Sequence, residues 1–307
     1  MIELVGHREQ RDIRQQAARI FRDLGNPDPP LQLDLVRELL KLDRDYYNIA
    51  NPGFLTEMAH RVKVAGKQIV ARPTLLIEVI KKANLSALWI PDSKRILIDE
   101  TVPEAKHRWM EAHEIGHSII PWHREFLFGD NEQTLDPECH ATIEAEANFG
   151  ASRLLFMLDR FGQDAREIDF SFKSVQLLRK RYGNTLTSTF WRFVEDRNPT
   201  HAAFGVVGVH PKHPEIGKQA DGSAYRYFIR SQGFREQFSR IHPDHVRAII
   251  ERHASWRKSG PIIDATDYVV DDTGKSYEFK IESFSNKYDL LTMGLLLRER
   301  APIVSVA

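Results

Sequence analysis

The stretch Trp109–His117, which reads WMEAHEIGH, limits what this chain can fold into more than any other. From Pro103 to Ile120 the residues suit an uninterrupted helix, with Thr101 as its expected cap and Pro103 in its first turn. Positions four apart share a helix face, so His113 and His117 direct their imidazoles to a common point. Glu114 lies about 100° round the axis, where it reaches a water at that point without being a ligand. Two histidines do not complete a catalytic zinc site, because a third protein ligand is needed and a fourth position stays open. The fold must therefore bring a second segment across this helix. Gly116, in mid-helix, is about 1 kcal/mol less favourable there than Ala and marks a place where another backbone comes close.

The third ligand is expected from the next helix, ECHATIEAEANFGASRLLFML over residues 138–158. Glu144, Asn148, Ala151 and Leu155 share one stripe, the side that faces a core or a site. Glu146 sits about 200° from Glu144 and is expected to point outward, and Glu138 near the helix start suits the helix dipole. Glu144 is the expected third ligand, with Glu146 the fallback. Asn148, one turn on, is placed to accept the outer N–H of a ligating imidazole.

Elsewhere the periodicity is ordinary. Residues 8–24 place Ile13, Ala17, Ile20 and Phe21 at helical spacing, 31–42 reads as a second helix and 74–83 as a third. SALWIPDSKRILIDE reads as a hairpin about PDSK. Past residue 198 the chain turns Gly- and Pro-rich (DRNPTHAAFGVVGVHPKHPEIGKQADGS), which reads as loops at a boundary. A strand at AYRYFIRSQ, a helix at DHVRAIIERHASWRKS and a hairpin about Asp-Thr-Gly in DYVVDDTGKSYEFKIESF follow. The expected division is thus residues 1–198 and an α+β region over 199–307, which either regulates the first domain or completes its core. Lys plus Arg equals Asp plus Glu at 43 each, so no global basic field favours nucleic acid. A start without a signal-peptide pattern, no apolar run of membrane length and a single cysteine, Cys139, point to a cytoplasmic protein without a membrane anchor or disulfide framework.

The chain also resembles the ImmA/IrrE metallopeptidases, gluzincin-type zinc proteases. The resemblance rests on KHRWMEAHEIGH, similar to R-x-R-F-T-L-A-H-E-x-G-H, and on EAEANFGASRLLF, similar to E-x-x-A-N-x-F-A-x-x-L-L-M-P, with Glu144 31 residues after His113. It extends over roughly residues 10–195 and includes the helical SVQLLRKRYGNTLTSTFWRFVED. The chain departs from that pattern at Phe149-Gly150, at Met157 in place of Pro, and at Glu111 in place of an apolar residue. The resemblance implies an α+β, zincin-like metalloprotease domain, with helices packed on a small β-sheet and two active-site helices. It implies Zn2+ on His113, His117 and Glu144, and Glu114 as catalytic base. The implied activity is cleavage of a peptide bond, with a helix-turn-helix transcriptional repressor as substrate, in stress response or mobile-element transfer.

The remaining histidines carry less. His123, His140, Tyr182, His210 and His213 can each supply a donor to an oxyanion, and the residues do not choose among them. His123 and His140 otherwise read as surface or supporting groups, His210 and His213 as a loop pair, and Cys139 as a quiet thiol. RILID, just before the motif helix, can offer its edge to an extended substrate. The competing reading is a latent, metal-bound protease fold that senses a ligand and sequesters a repressor or antitoxin without cutting it. An intact Glu114, which a pure binder does not need, separates the two. Oligomeric state is not legible.

Overall fold

The computed structural model describes residues 5–47, 87–90, 94–123, 137–209, 225–255 and 259–300. The chain is α+β and falls into two compact units: Met1–Leu158 with Tyr182–Asn184, and Asp159–Arg181 with Thr185–Ala307. The division therefore comes after residue 158, forty residues before the Gly- and Pro-rich stretch that suggested a boundary at 198. The helices between carry their apolar faces to the second unit.

In the first unit, α1 (His7–Asp23) buries Ile13, Ala17, Ile20 and Phe21, the four positions its periodicity selects. It ends where Gly25 and Asn26 take positive φ. α2 (Leu33–Leu40) follows, then β1 (Asp43–Tyr47), β2 (Ala87–Ile90) and β3 (Arg95–Asp99). The expected helix at 74–83 lies outside the described residues. β2 and β3 pair antiparallel, as the expected hairpin requires, with Ala87 opposite Ile98 and Ile90 opposite Arg95. β1 runs parallel to β3 on its other side, from Asp43 opposite Arg95 to Tyr47 opposite Asp99. The sheet order is β1-β3-β2, so RILID is the central strand and not an edge. The alternation-free run Ile96-Leu97-Ile98, all buried, is what a strand covered on both faces requires.

Two helices complete this unit: α3 (Glu104–Ile119), which carries the motif, and α4 (Pro137–Leu155). Pro103 is the N-cap of α3. Thr101 does not cap it, because its N–H and hydroxyl both donate to Asp99 Oδ1, at 2.9 and 2.8 Å. Glu111 is buried and accepts from Arg37 Nε of α2 at 2.5 Å and Arg44 Nη1 of β1 at 2.7 Å. The charge that stands where an apolar residue was expected thus ties α2 and β1 to the motif helix.

α3 and α4 touch backbone to backbone. A Cβ on Gly116 would sit 2.6 Å from Ala147 O, and one on Gly150 would meet Gly116 Cα at 3.4 Å and Ile13 Cγ2 at 3.5 Å. The second residue of the Phe149-Gly150 pair is therefore the other half of this crossing.

In the second unit, α5 (Arg160–Arg166), α6 (Phe172–Tyr182, its last residue counted with the first unit) and α7 (Leu186–Asp196) precede β4 (Ala203–Gly208) and β5 (Tyr225–Arg230). Then come α8 (Gln232–Gln237), α9 (Pro243–His253), β6 (Gly260–Val270), β7 (Ser276–Ser285) and β8 (Leu290–Glu299). The five strands form one antiparallel sheet in the order β5-β4-β8-β7-β6. β4 lies inside the stretch that reads as loop, and every one of its residues is buried. AFGVVG is short and glycine-punctuated because Gly205 must admit the Phe190 ring and Val194 of α7. One face carries Phe204, Phe234, Phe238 and Phe279, and on the other Phe172 stacks between Phe190 and Phe284 at 5.6 and 5.7 Å.

Gly116→Ala should destabilise the protein. The added Cβ meets a backbone carbonyl that cannot turn aside, and overpacking of about 1–3 kcal/mol outweighs about 1 kcal/mol gained in helix propensity. The check is urea denaturation, with an unchanged or higher midpoint as the contrary result.

Candidate metal centre

α3 presents His113 and His117 one turn apart, and the glycine crossing sets α4 close enough for Glu144 to reach both. Glu144 Oε2 lies 3.2 Å from His113 Nε2, Glu144 Oε1 lies 3.6 Å from His117 Nε2, and the two Nε2 atoms are 3.1 Å apart. Donors held about 2.0–2.1 Å from one ion at tetrahedral angles lie about 3.3 Å from each other, a spacing that the two Nε2 atoms and the Glu144 carboxylate, which turns one oxygen to each imidazole, approach. His113, His117 and Glu144 thus form a group that could hold a metal ion. Glu144, the residue expected to complete the set, lies beside both histidines.

The outer nitrogens are also engaged. His113 Nδ1 lies 3.1 Å from Asn148 Oδ1, so the ring donates there and keeps its Nε2 lone pair for the ligand point, as the stripe on α4 implies. His117 Nδ1 lies 2.9 Å from His123 Nδ1, and His123 Nε2 lies 2.8 Å from Glu146 Oε2. The same oxygen accepts from Trp122 Nε1 at 2.6 Å. Glu146 therefore does not point outward: it is 4% exposed, and His123 is fully buried. α4 thus has a second buried side besides the stripe of Glu144 and Asn148. The chain leaving α3 turns at Ile120, whose carbonyl accepts from His123 N, and carries Trp122 and His123 onto Glu146. The available signals were a histidine six residues after His117 and a glutamate two after Glu144.

Glu114 is 4% exposed and accepts a hydrogen bond from the Trp89 backbone of β2. Burial pushes its carboxyl up to about 7, with the Glu144 charge adding and His113 and the Trp89 N–H opposing. Burial, helped by the neighbouring imidazoles His113 and His123, takes His117 down to about 4. His113 is raised: burial works against its protonation, but the Glu144 and Glu114 carboxylates outweigh that. Burial also opposes ionisation of Glu144, yet the two histidines hold it well below the usual carboxylate range. Of the oxyanion candidates, His123 is engaged with His117, Tyr182 is fully buried, and His210, His213 and the His140 side chain lie outside the described residues, as does the Cys139 side chain.

No protein-family model matches the chain, and no curated protein matches it. Its fold is similar to that of a solved Mycobacterium tuberculosis transcriptional regulator. The TM-score is 0.52 and the identity 13%, over 93% of this chain and 76% of that one. No helix among the described residues is long and apolar enough to cross a membrane.

Because His113 is raised above its ordinary value, an ion must displace a proton from it in mildly acidic solution, where His117 is still neutral. Metal uptake should release a proton, and affinity should fall by up to about tenfold per pH unit once His113 is protonated in the metal-free protein. Calorimetric titration in buffers of different ionisation enthalpy tests this. Binding that is independent of buffer and of pH between 6 and 8 is the contrary result.

Proposed function

We propose that this protein is a cytoplasmic zinc-dependent endopeptidase with a zincin-like first domain. The observation that carries the reading is the convergence of three donor atoms from His113, His117 and Glu144, with the Glu114 carboxylate beside them and outside the ligand set. Two imidazoles and one carboxylate suit zinc, and three protein ligands leave a position open. Bound there, zinc would supply a Lewis acid that acidifies water and polarises a peptide carbonyl.

The chain's own residues account for the proton. Glu114 takes a proton from the attacking water as the new C–O bond forms, and returns it to the amide nitrogen as the C–N bond breaks. Its burial and its bond from the Trp89 backbone fix the carboxylate in one orientation. β2 pairs with β3 on one side only among the described residues, so β2 is the strand that offers an edge to an extended peptide near Glu114, in place of RILID. The proposed substrate is a helix-turn-helix transcriptional repressor cut at one site, an assignment that rests on the resemblance in HEIGH and EAEAN. Neutral net charge agrees with a protein partner and with no direct binding of nucleic acid.

A second reading, a latent sensor that holds a repressor or antitoxin without cleaving it, is kept because the similar fold belongs to a protein described as a transcriptional regulator. Glu114→Gln separates the two. Under the protease reading it keeps one zinc per chain and lowers the rate of cleavage of a co-encoded repressor by about 100- to 10,000-fold. If wild type and Glu114→Gln both bind the repressor and neither cuts it, the sensor reading replaces the enzyme.

A further inference from the structure

The two motif histidines are supported unequally. His113 is backed by a neutral amide, Asn148, whereas His117 is backed by His123 and, through it, by the Glu146 carboxylate. His117, His123 and Glu146 are 5%, 0% and 4% exposed, so solvent cannot stand in for a missing partner. Among the described residues, Glu146 is met by two N–H donors, Trp122 Nε1 and His123 Nε2, and by no lysine or arginine.

We propose that His123 and Glu146 are positioning residues for the metal, a buried carboxylate acting through one imidazole on the ligand imidazole of His117. An ionised carboxylate only accepts, so His123 carries its proton on Nε2 and turns the Nδ1 lone pair to His117. His117 must then carry its proton on Nδ1, which leaves Nε2 free to ligate. A neutral imidazole with Nε2 protonated could not ligate through that atom. The chain of contacts thus selects the one tautomer that binds metal, and the carboxylate at its far end holds that chain in place behind His117.

This proposal rests on the metal reading above, and its test keeps the two apart. Trp122 Nε1 and His123 Nε2 meet one and the same oxygen of Glu146, so a glutamine that sets its Oε1 there keeps both contacts and both tautomers and removes only the negative charge behind His123. Glu146→Gln in the full chain should therefore weaken zinc by about 10- to 100-fold in chelator competition, with a shifted visible spectrum of the Co2+-loaded protein. The metal-free form should still melt near the wild-type temperature. His123→Gln keeps an acceptor for His117 and a donor for Glu146, and should hold zinc more tightly than Glu146→Gln does.

Unchanged zinc affinity and an unchanged cobalt spectrum in Glu146→Gln would overturn the relay. The metal site itself would stand if wild type takes up one zinc that His117→Ala loses. Wild type that takes up no zinc overturns both. If Glu146→Gln does not fold, the comparison passes to His123→Gln against His123→Leu. Tight binding in the first and weak binding in the second supports the relay, and equal binding refutes it.

Discussion

Everything in the candidate metal centre depends on how closely α3 and α4 approach, and the approach depends on there being no side chain at Gly116 or Gly150. Glu144 lies 3.2 and 3.6 Å from two Nε2 atoms on the neighbouring helix, and the two helices meet at backbone level beside it. Helices commonly pack 8–10 Å apart, with the distance set by the side chains at the contact. Glycine at the contact removes that spacer. The helix propensity forfeited at Gly116 is what allows a metal-sized opening between three donors.

The same crossing explains why so many polar groups are buried around it. α3 is covered on nearly every side: Ala112 and Ile115 are fully buried, and so, within a few per cent, are Glu111, Glu114 and His117. Each of these three polar groups meets a specific partner. Glu111 takes two arginines, Glu114 the Trp89 backbone, and His117 the chain that ends on Glu146. Buried charges without partners are strongly destabilising, so these contacts fix the rotation of α3 as well as its position. That rotation aims His113 and His117 at Glu144.

Periodicity made legible what depends on one helix or one hairpin: the buried face of α1, the β2–β3 pairing, the ligand stripe on α4 and the Asn148 contact. It failed where a second element decides. Glu146 was placed outward because a helix considered alone has one buried side, and the turn bringing Trp122 and His123 over α4 leaves no periodic trace. RILID was taken for an edge because β1, which covers it, comes from a segment about fifty residues upstream. β4 was taken for loop because glycine and neighbouring prolines signal turns locally, whereas here glycine makes room for Phe190. The expected boundary at 198 failed for the same reason: α5 to α7 contribute to the core of the second unit, and only the sheet they cover reveals it.

Charge balance gives the last reason for reading the centre as a metal site. Glu114, Glu144 and Glu146 lie close together around the motif, two of them buried, and His117 is neutral at physiological pH. Without a cation, part of that negative charge is relieved by protons, which is why burial and the Glu144 charge push Glu114 up to about 7 and why the carboxylates raise His113. A divalent ion among His113, His117 and Glu144 answers the same electrostatic demand more fully. It would favour the ionised form of Glu114 and the unprotonated form of His113. Glu114 would then be a carboxylate able to take a proton at neutral pH, and both ligand imidazoles would present lone pairs. One ion would thus favour together the acid–base state needed for ligation and the state needed for proton transfer.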